Sequence, residues 1–346
     1  MIWLVWRRHR LGILALTLLA LALAVYLVIG SWPARAAYYQ VTNGQSPASC
    51  YASQSTSTLC TQLTAQWRDT YDDPGDVLGW LGILIAPAVL GMFLGAPLVA
   101  DELESGTQRL AWTQGVTRRR WLLTLIASEA IVALLLAGVV QVAVWYWLGS
   151  YPPDGNGFGA FDMMGMAPLA YVAFALMLGL AMGALVRRVV PAMLLTLVGY
   201  LAVRIPIVLY ARPHYLPPLT LTWDPYVTPN PRIQPGSQDW VVSGGWLDST
   251  GKPIGRGDFF ARVFGAGGPR PGPNYCTPMG QPDANIGTDF NGWNTLCTHN
   301  YGWHYQTVWQ PADRFWLFQG IECALFLALA VALVALTLWL VRRVLA

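Results

Sequence analysis

The sequence predicts an all-α polytopic membrane protein. Six transmembrane helices, both termini in the cytoplasm, and a Pro/Gly/Trp-rich extracellular domain between helices 5 and 6 make up the expected architecture. Three observations lead there. The 346 residues are 55% hydrophobic and only 11% charged, where a soluble domain carries roughly 25% charged residues. The uncharged residues gather into stretches of about 18 or more, long enough to cross the hydrocarbon as helix. The arginines fall in short segments that alternate along the chain.

Taken in order, residues 1–10 place Trp3 and Trp6 beside Arg7, Arg8 and Arg10, the pattern of an amphipathic segment with its rings at headgroup level. Residues 11–30 form the first span. This apolar run is longer than a signal-peptide core and reads as an uncleaved anchor. Residues 31–76 are an extracellular loop, 77–100 the second span and 101–120 a cytoplasmic loop. The third span, 121–150, is long enough to tilt. A short extracellular loop, 151–162, has no Arg or Lys. The fourth and fifth spans, 163–186 and 189–211, are separated only by Arg187 and Arg188, as in a tight hairpin. Residues 212–314 are the extracellular domain and 315–341 the sixth span. Arg7, Arg8 and Arg10, then Arg109 and Arg118–Arg120, then Arg187 and Arg188, then Arg342 and Arg343 all fall on one side, and the positive-inside rule makes that side cytoplasmic. Arg232, Lys252, Arg256, Arg262 and Arg270 lie in a segment too long for the rule to count.

The segment 212–314 holds Trp223, Trp240, Trp246, Trp293, Trp303 and Trp309, too aromatic for a disordered linker; short strands and turns are expected. Cys50 and Cys60 lie in the first outer loop, Cys276 and Cys297 in the second. An oxidising compartment turns such an even set into disulfides, and Cys50–Cys60 with Cys276–Cys297 is the simplest of three pairings. Cys323, inside the last span, reads as a small buried apolar residue. Cys297, His299 and His304 are near one another, but no second ligand pair has zinc spacing, so no metal is expected.

Nucleotide and hydrolase chemistry leave no trace. A P-loop ends in Gly-Lys-Ser/Thr, and the sole lysine, Lys252, stands in Gly251-Lys252-Pro253. Neither a zinc-protease pair of histidines nor a nucleophile-elbow serine is present. No catalytic residue is assigned, the chain itself needs no cofactor, and nucleic acid is not an expected partner.

Three ionisable residues fall within spans: Glu129, Arg204 and Glu322. Such groups face a bundle interior or a cavity. At about 1.5 Å per residue, Arg204 lies roughly 22 Å from the cytoplasmic start of its span and Glu322 roughly 12 Å from the outer start of its own. The two reach similar depth and are expected to meet, as a structural pair or at a substrate path. Glu129, roughly 13 Å in from the cytoplasmic side, has no evident partner and is expected to line a cavity or bond a neighbouring helix.

The loop after the second span reads Asp101-Glu102-Leu103-Glu104-Ser105-Gly106-Thr107-Gln108-Arg109-Leu110, then Ala111-Trp112-Thr113-Gln114-Gly115-Val116-Thr117-Arg118-Arg119-Arg120-Trp121. It resembles the membrane subunits of type-2 ABC exporters: an acidic residue, Gly-Thr, a short helix, and Gly-Val-Thr/Ser-Arg before the third span. The Trp- and Arg-rich start, Met1–Arg10, is similar to actinobacterial members, and the near-exclusive use of Arg over Lys fits a GC-rich genome. One departure stands out, since relatives often place a lysine after the arginine cluster and Thr124 or Leu125 stands here. The resemblance implies a plasma-membrane, multi-pass permease whose loop forms a coupling helix on a separate ATPase subunit. It further implies two ATPase copies that bind ATP and Mg, and a second permease copy or paralogue. Under that reading Glu102 and Glu104 begin the coupling helix and Arg118, Arg119 and Arg120 end it, which suits its dipole. Gly106 and Thr107 supply turn and N-cap, Trp112 an apolar contact, and Arg109 and Gly115 complete the set. The family exports lipids, glycans and hydrophobic drugs or antibiotics. Two other readings remain: an ABC-type sensor or self-resistance complex without net transport, and a lipid- or glycan-modifying enzyme using external acids such as Asp283 and Asp289.

Overall fold

The computed structural model describes residues 2–41, 85–106, 117–148, 157–228, 235–236, 238–255, 257–259, 298–299 and 301–343. These divide into two compact units, Met1–Tyr215 with Phe315–Ala346, and Leu216–Arg314.

The first unit is helical. Helix α1 is Ile2–Val41. Helix α2 covers Ile85–Ser105 and contains a π-helical stretch, Gly91–Gly95. Helix α3 is Arg118–Leu148, α4 is Ala167–Val186, α5 is Val189–Pro206, and α6 is Phe315–Arg343. All six contain stretches long and apolar enough to cross a membrane. Helix α1 runs unbroken through the expected interfacial segment 1–10 and eleven residues beyond residue 30, and its stretch apolar enough to cross a membrane is Gly12–Trp32. Ala34, Ala36 and Ala37 favour helix, and neither Gly12 nor Gly30 breaks the run.

Helix α4 is the centre of the unit, with 72% of its apolar window buried. Its neighbours approach it through small residues. A Cβ placed on Gly179 would lie 2.8 Å from the Ala96 nitrogen, and one on Gly95 3.3 Å from the Gly179 Cα. One on Gly183 would lie 3.3 Å from the Ala100 nitrogen. Helices α2 and α4 therefore touch backbone to backbone, as small residues allow in membranes, where packing rather than hydrophobicity drives association. Leu98, Val99, Trp121, Leu122, Leu125, Leu180, Leu340 and Val341 close one end of the core.

The second unit carries a three-stranded antiparallel sheet of order β1-β3-β2, built from β1 Leu219–Trp223, β2 Trp240–Leu247 and β3 His304–Gln310. A bulge between Val241 and Ser243 shifts the β2 register. Tyr305 meets Trp223 and Trp246 edge-on at 5.1 Å each, one from either flanking strand. Trp303 is buried against Trp246, Ile254, Phe259 and Tyr301. Trp223, Trp246 and Trp303 are thus packed aromatic side chains of this sheet unit.

Gly179→Ala is expected to destabilise by about 1–3 kcal/mol through overpacking. Gly138→Ala, where an added Cβ meets nothing within 4 Å, is expected to be neutral or to stabilise by up to about 1 kcal/mol. Melting of the two purified variants in detergent measures the contrast.

Candidate functional site

The polar heart of the helical unit is a cluster of four charges and a phenol. Its first member is set by α6, whose buried face recurs at Phe315, Phe318, Gln319, Glu322 and Phe326 while Trp316, Leu317, Leu327 and Val331 point outward. That three-to-four-residue spacing marks one helical face, and here the inward face carries the polar groups, as expected in lipid.

Gln319 holds the turn that precedes α4. Its amide nitrogen donates to the Phe161 and Met164 carbonyls at 2.8 and 3.0 Å. Its oxygen accepts from the Ala167 N–H at 2.9 Å, one of the donors that a helix start leaves without an internal partner. This turn delivers Asp162.

Helix α5 brings two guanidiniums. Eight residues separate Arg204 from Arg212, which in a regular helix would set them about 80° apart. Between them the chain forms a π-helical turn, Ile207–Ala211, before a short 3-10 turn at Arg212–His214. A π-bulge absorbs one extra residue, so Arg212 sits about as a seventh residue would, within roughly 20° of the Arg204 face.

The contacts are dense. Arg204 donates from Nη1 to Glu322 and from Nη2 to Asp162. Arg212 clasps Glu322 through Nε at 2.9 Å and Nη2 at 2.8 Å, and Asp162 through Nη2 at 2.6 Å and Nη1 at 3.1 Å. The Tyr171 hydroxyl of α4 donates to Glu322 Oε1 at 2.9 Å. The Arg204 guanidinium lies 3.8 Å from the Tyr171 ring centroid and that of Arg212 4.3 Å from the Phe161 centroid, both within cation–π range. Two cations face two carboxylates, all buried except the slightly exposed Asp162. Only the Arg204 Nε is left without a partner. Burial works to raise the Asp162 carboxyl, but Arg212 and Arg204 outweigh it and hold the group below its ordinary value. Mutually satisfied in this way, the four charges fasten α4, α5, α6 and the turn before α4, and they present no open charge to a ligand.

The expected Arg204–Glu322 contact is therefore present, as part of a larger set. Asp162 and Arg212 fall one residue outside the spans read from the sequence and look like loop charges there. Their one signal is position: each borders a span at the same side as Glu322.

Glu129 is buried and lines a groove of about 730 Å³ beside α1. Of the loop residues, Glu102 and Glu104 lie in the last turns of α2, which ends at Ser105. They do not begin a coupling helix. From Leu98 to Ser105 no glycine or proline intervenes, and Gly106, with a left-handed φ of 71°, closes the helix, as glycine commonly does. Glu104 instead accepts from the Val189 N–H at 3.2 Å, at the start of α5. Arg118, Arg119 and Arg120 form the first turn of α3, where cations oppose the helix dipole. Thr107, Arg109, Trp112 and Gly115 lie outside the described residues, as do Cys50, Cys60, Cys276, Cys297, Asp283 and Asp289. In the sheet unit His299 pairs with Asp224 and stacks on Tyr226 at 4.8 Å.

The sequence profile of the family described as ABC-2 membrane transporter related matches residues 6–212. The chain belongs to this family. It is a membrane subunit of the ABC-2 transporter type, and such permeases work with an ABC ATPase partner. No curated protein and no solved structure matches the chain. The match in this permease takes in α1 to α5 and both arginines of the ion cluster, and ends before the sheet unit.

Glu322→Ala leaves two buried guanidiniums to one carboxylate and is expected to destabilise by about 3–5 kcal/mol. Tyr171→Phe, which removes the hydroxyl and its bond to Glu322, should cost about 1–2 kcal/mol. Thermal melting of the purified permease measures both, and a wild-type melting point for Glu322→Ala would refute the fastening role. Because the folded-state value of Asp162 is lowered, its contribution is complete above its unfolded value, about 3.9, and is lost as pH falls through the lower folded value. The melting-point gap between wild type and Asp162→Asn should stay level at neutral pH and close under strongly acidic conditions.

Proposed function

We propose that this permease is the membrane half of an exporter whose energy comes from a separate ATPase pair that binds ATP and Mg. The family match carries this reading, joined to the loop between α2 and α3. In it, residues 107–116 form the coupling contact, with Arg109 near its start, Trp112 as the apolar anchor and Gly115 near its end. The ends of that loop suit the task. Gly106 turns the chain out of α2, and Glu104 ties the end of α2 to the start of α5, so force on the loop reaches two helices at once.

In this reading the arginine-rich ends are cytoplasmic, following the positive-inside rule, and the sheet unit lies outside, where Cys50–Cys60 and Cys276–Cys297 would form. Two permease copies, or this one and a paralogue, enclose the path. The substrate is lipid-like, a glycan, or a hydrophobic drug or antibiotic. ATP-driven closure of the ATPases moves the coupling loops and switches access between the two sides.

Pull-down of the tagged permease from its native membrane, with mass spectrometry and an ATPase assay, tests the assignment. Wild type is expected to recover a P-loop ATPase. Gly106→Pro, which cannot adopt the positive φ, and Trp112→Ala should each reduce that recovery at least tenfold while leaving permease levels intact. Absence of any ATPase under gentle detergent would overturn the coupling role.

A further inference from the structure

The groove beside α1 and α3 has a composition that the transport reading does not use. Its walls are mostly apolar and include Ile13 of α1 and Leu123, Ala127 and Ile131 of α3. Leu123 and Ile131 are 39% and 60% exposed, more than packing within this chain requires. At the end of the groove nearest the start of α3 stand Arg119 and Arg120, both exposed. Arginine forks match phosphate oxygens.

The third feature is Glu129. Its residue is 2% exposed, it shares in the groove lining, and its Oε2 has no hydrogen-bond partner. The neighbouring hydroxyls direct their protons elsewhere: Thr124 donates to the Arg120 carbonyl at 2.8 Å and Ser128 to the Leu125 carbonyl at 2.9 Å. An unmatched buried polar group is costly, and a hydrogen-bonding partner within the groove removes that cost. A carboxyl in its acid form donates one O–H.

These features repeat the order of groups along a phospholipid. A phosphate comes first, then acyl ester carbonyls, then hydrocarbon. From Arg120 to Glu129 the helix rises about 13 Å.

We infer that this groove binds one anionic phospholipid, its phosphate on Arg119 and Arg120, an ester carbonyl at Glu129, and its acyl chains beyond that point along Ile131 and Val132. The site lies within the helical unit and stands whichever substrate the transporter moves.

Native mass spectrometry of the full chain, purified in detergent and exchanged with dioleoylphosphatidylglycerol or dioleoylphosphatidylcholine, tests it. Wild type is expected to retain one phosphatidylglycerol per chain under activation that strips phosphatidylcholine. The double variant Arg119→Gln/Arg120→Gln should lower retention at least tenfold, whereas Arg187→Gln/Arg188→Gln, which removes equal charge elsewhere, should leave it unchanged. Ala127→Trp fills the groove with every charge intact and should also lose the lipid; Ile131→Phe reads the same effect if the tryptophan variant does not fold. Glu129→Gln keeps a donor and should retain the lipid where Glu129→Ala does not. Equal retention by wild type and the groove-filling variants would overturn the site in favour of general attraction to basic loops. A groove-filling variant that halves the particle mass would overturn it in favour of a face between two copies.

Discussion

Four charges buried among helices can persist only if they satisfy one another, and that requirement organises this molecule. Removing Arg204, Arg212, Asp162 and Glu322 from water is expensive, and the charge-assisted bonds between them recover the loss only when all four are in place. Each comes from a different constraint: a π-bulge in α5 for the spacing of the two arginines, a glutamine on α6 for the turn carrying Asp162, and the inward face of α6 for Glu322. The geometry of three helices is thereby tied to one point.

Most of the helical framework is legible in the sequence because uncharged runs of this length have few other uses. The Arg204–Glu322 contact is legible too, since rise per residue converts sequence position into depth. The rest of the cluster is not. A charge at a span boundary, such as Asp162 or Arg212, is ordinary, and the π-helical turn that swings Arg212 onto the Arg204 face has no composition of its own beyond a nearby Pro206. Tyr171 looks like any aromatic in a span. Glu102 and Glu104 mislead in another way, because acidic residues after an apolar run suggest that the helix has ended, whereas the backbone continues until a glycine releases it.

The membership of the chain in the ABC-2 family gives the remaining contacts a mechanical sense. Helices α2 and α4 meet backbone to backbone, and the Glu104–Val189 bond adds α5 to that pair. Such a body transmits displacement because close-packed atoms leave no slack. Helix α1 has 11% of its apolar window buried, and α3, α5 and α6 have 22% each, so their outward faces remain for lipid or for another subunit.

The balance of charges has an electrical consequence. A transmembrane voltage does work of about 2.3 kcal/mol for each elementary charge carried through 100 mV. Two guanidiniums held to two carboxylates amount to a body of zero net charge, so displacement of the intact cluster carries no net charge through the membrane potential. Only a step that pulled the arginines apart from the acids would couple to it. The cluster itself therefore adds no voltage dependence to whatever movement these helices make.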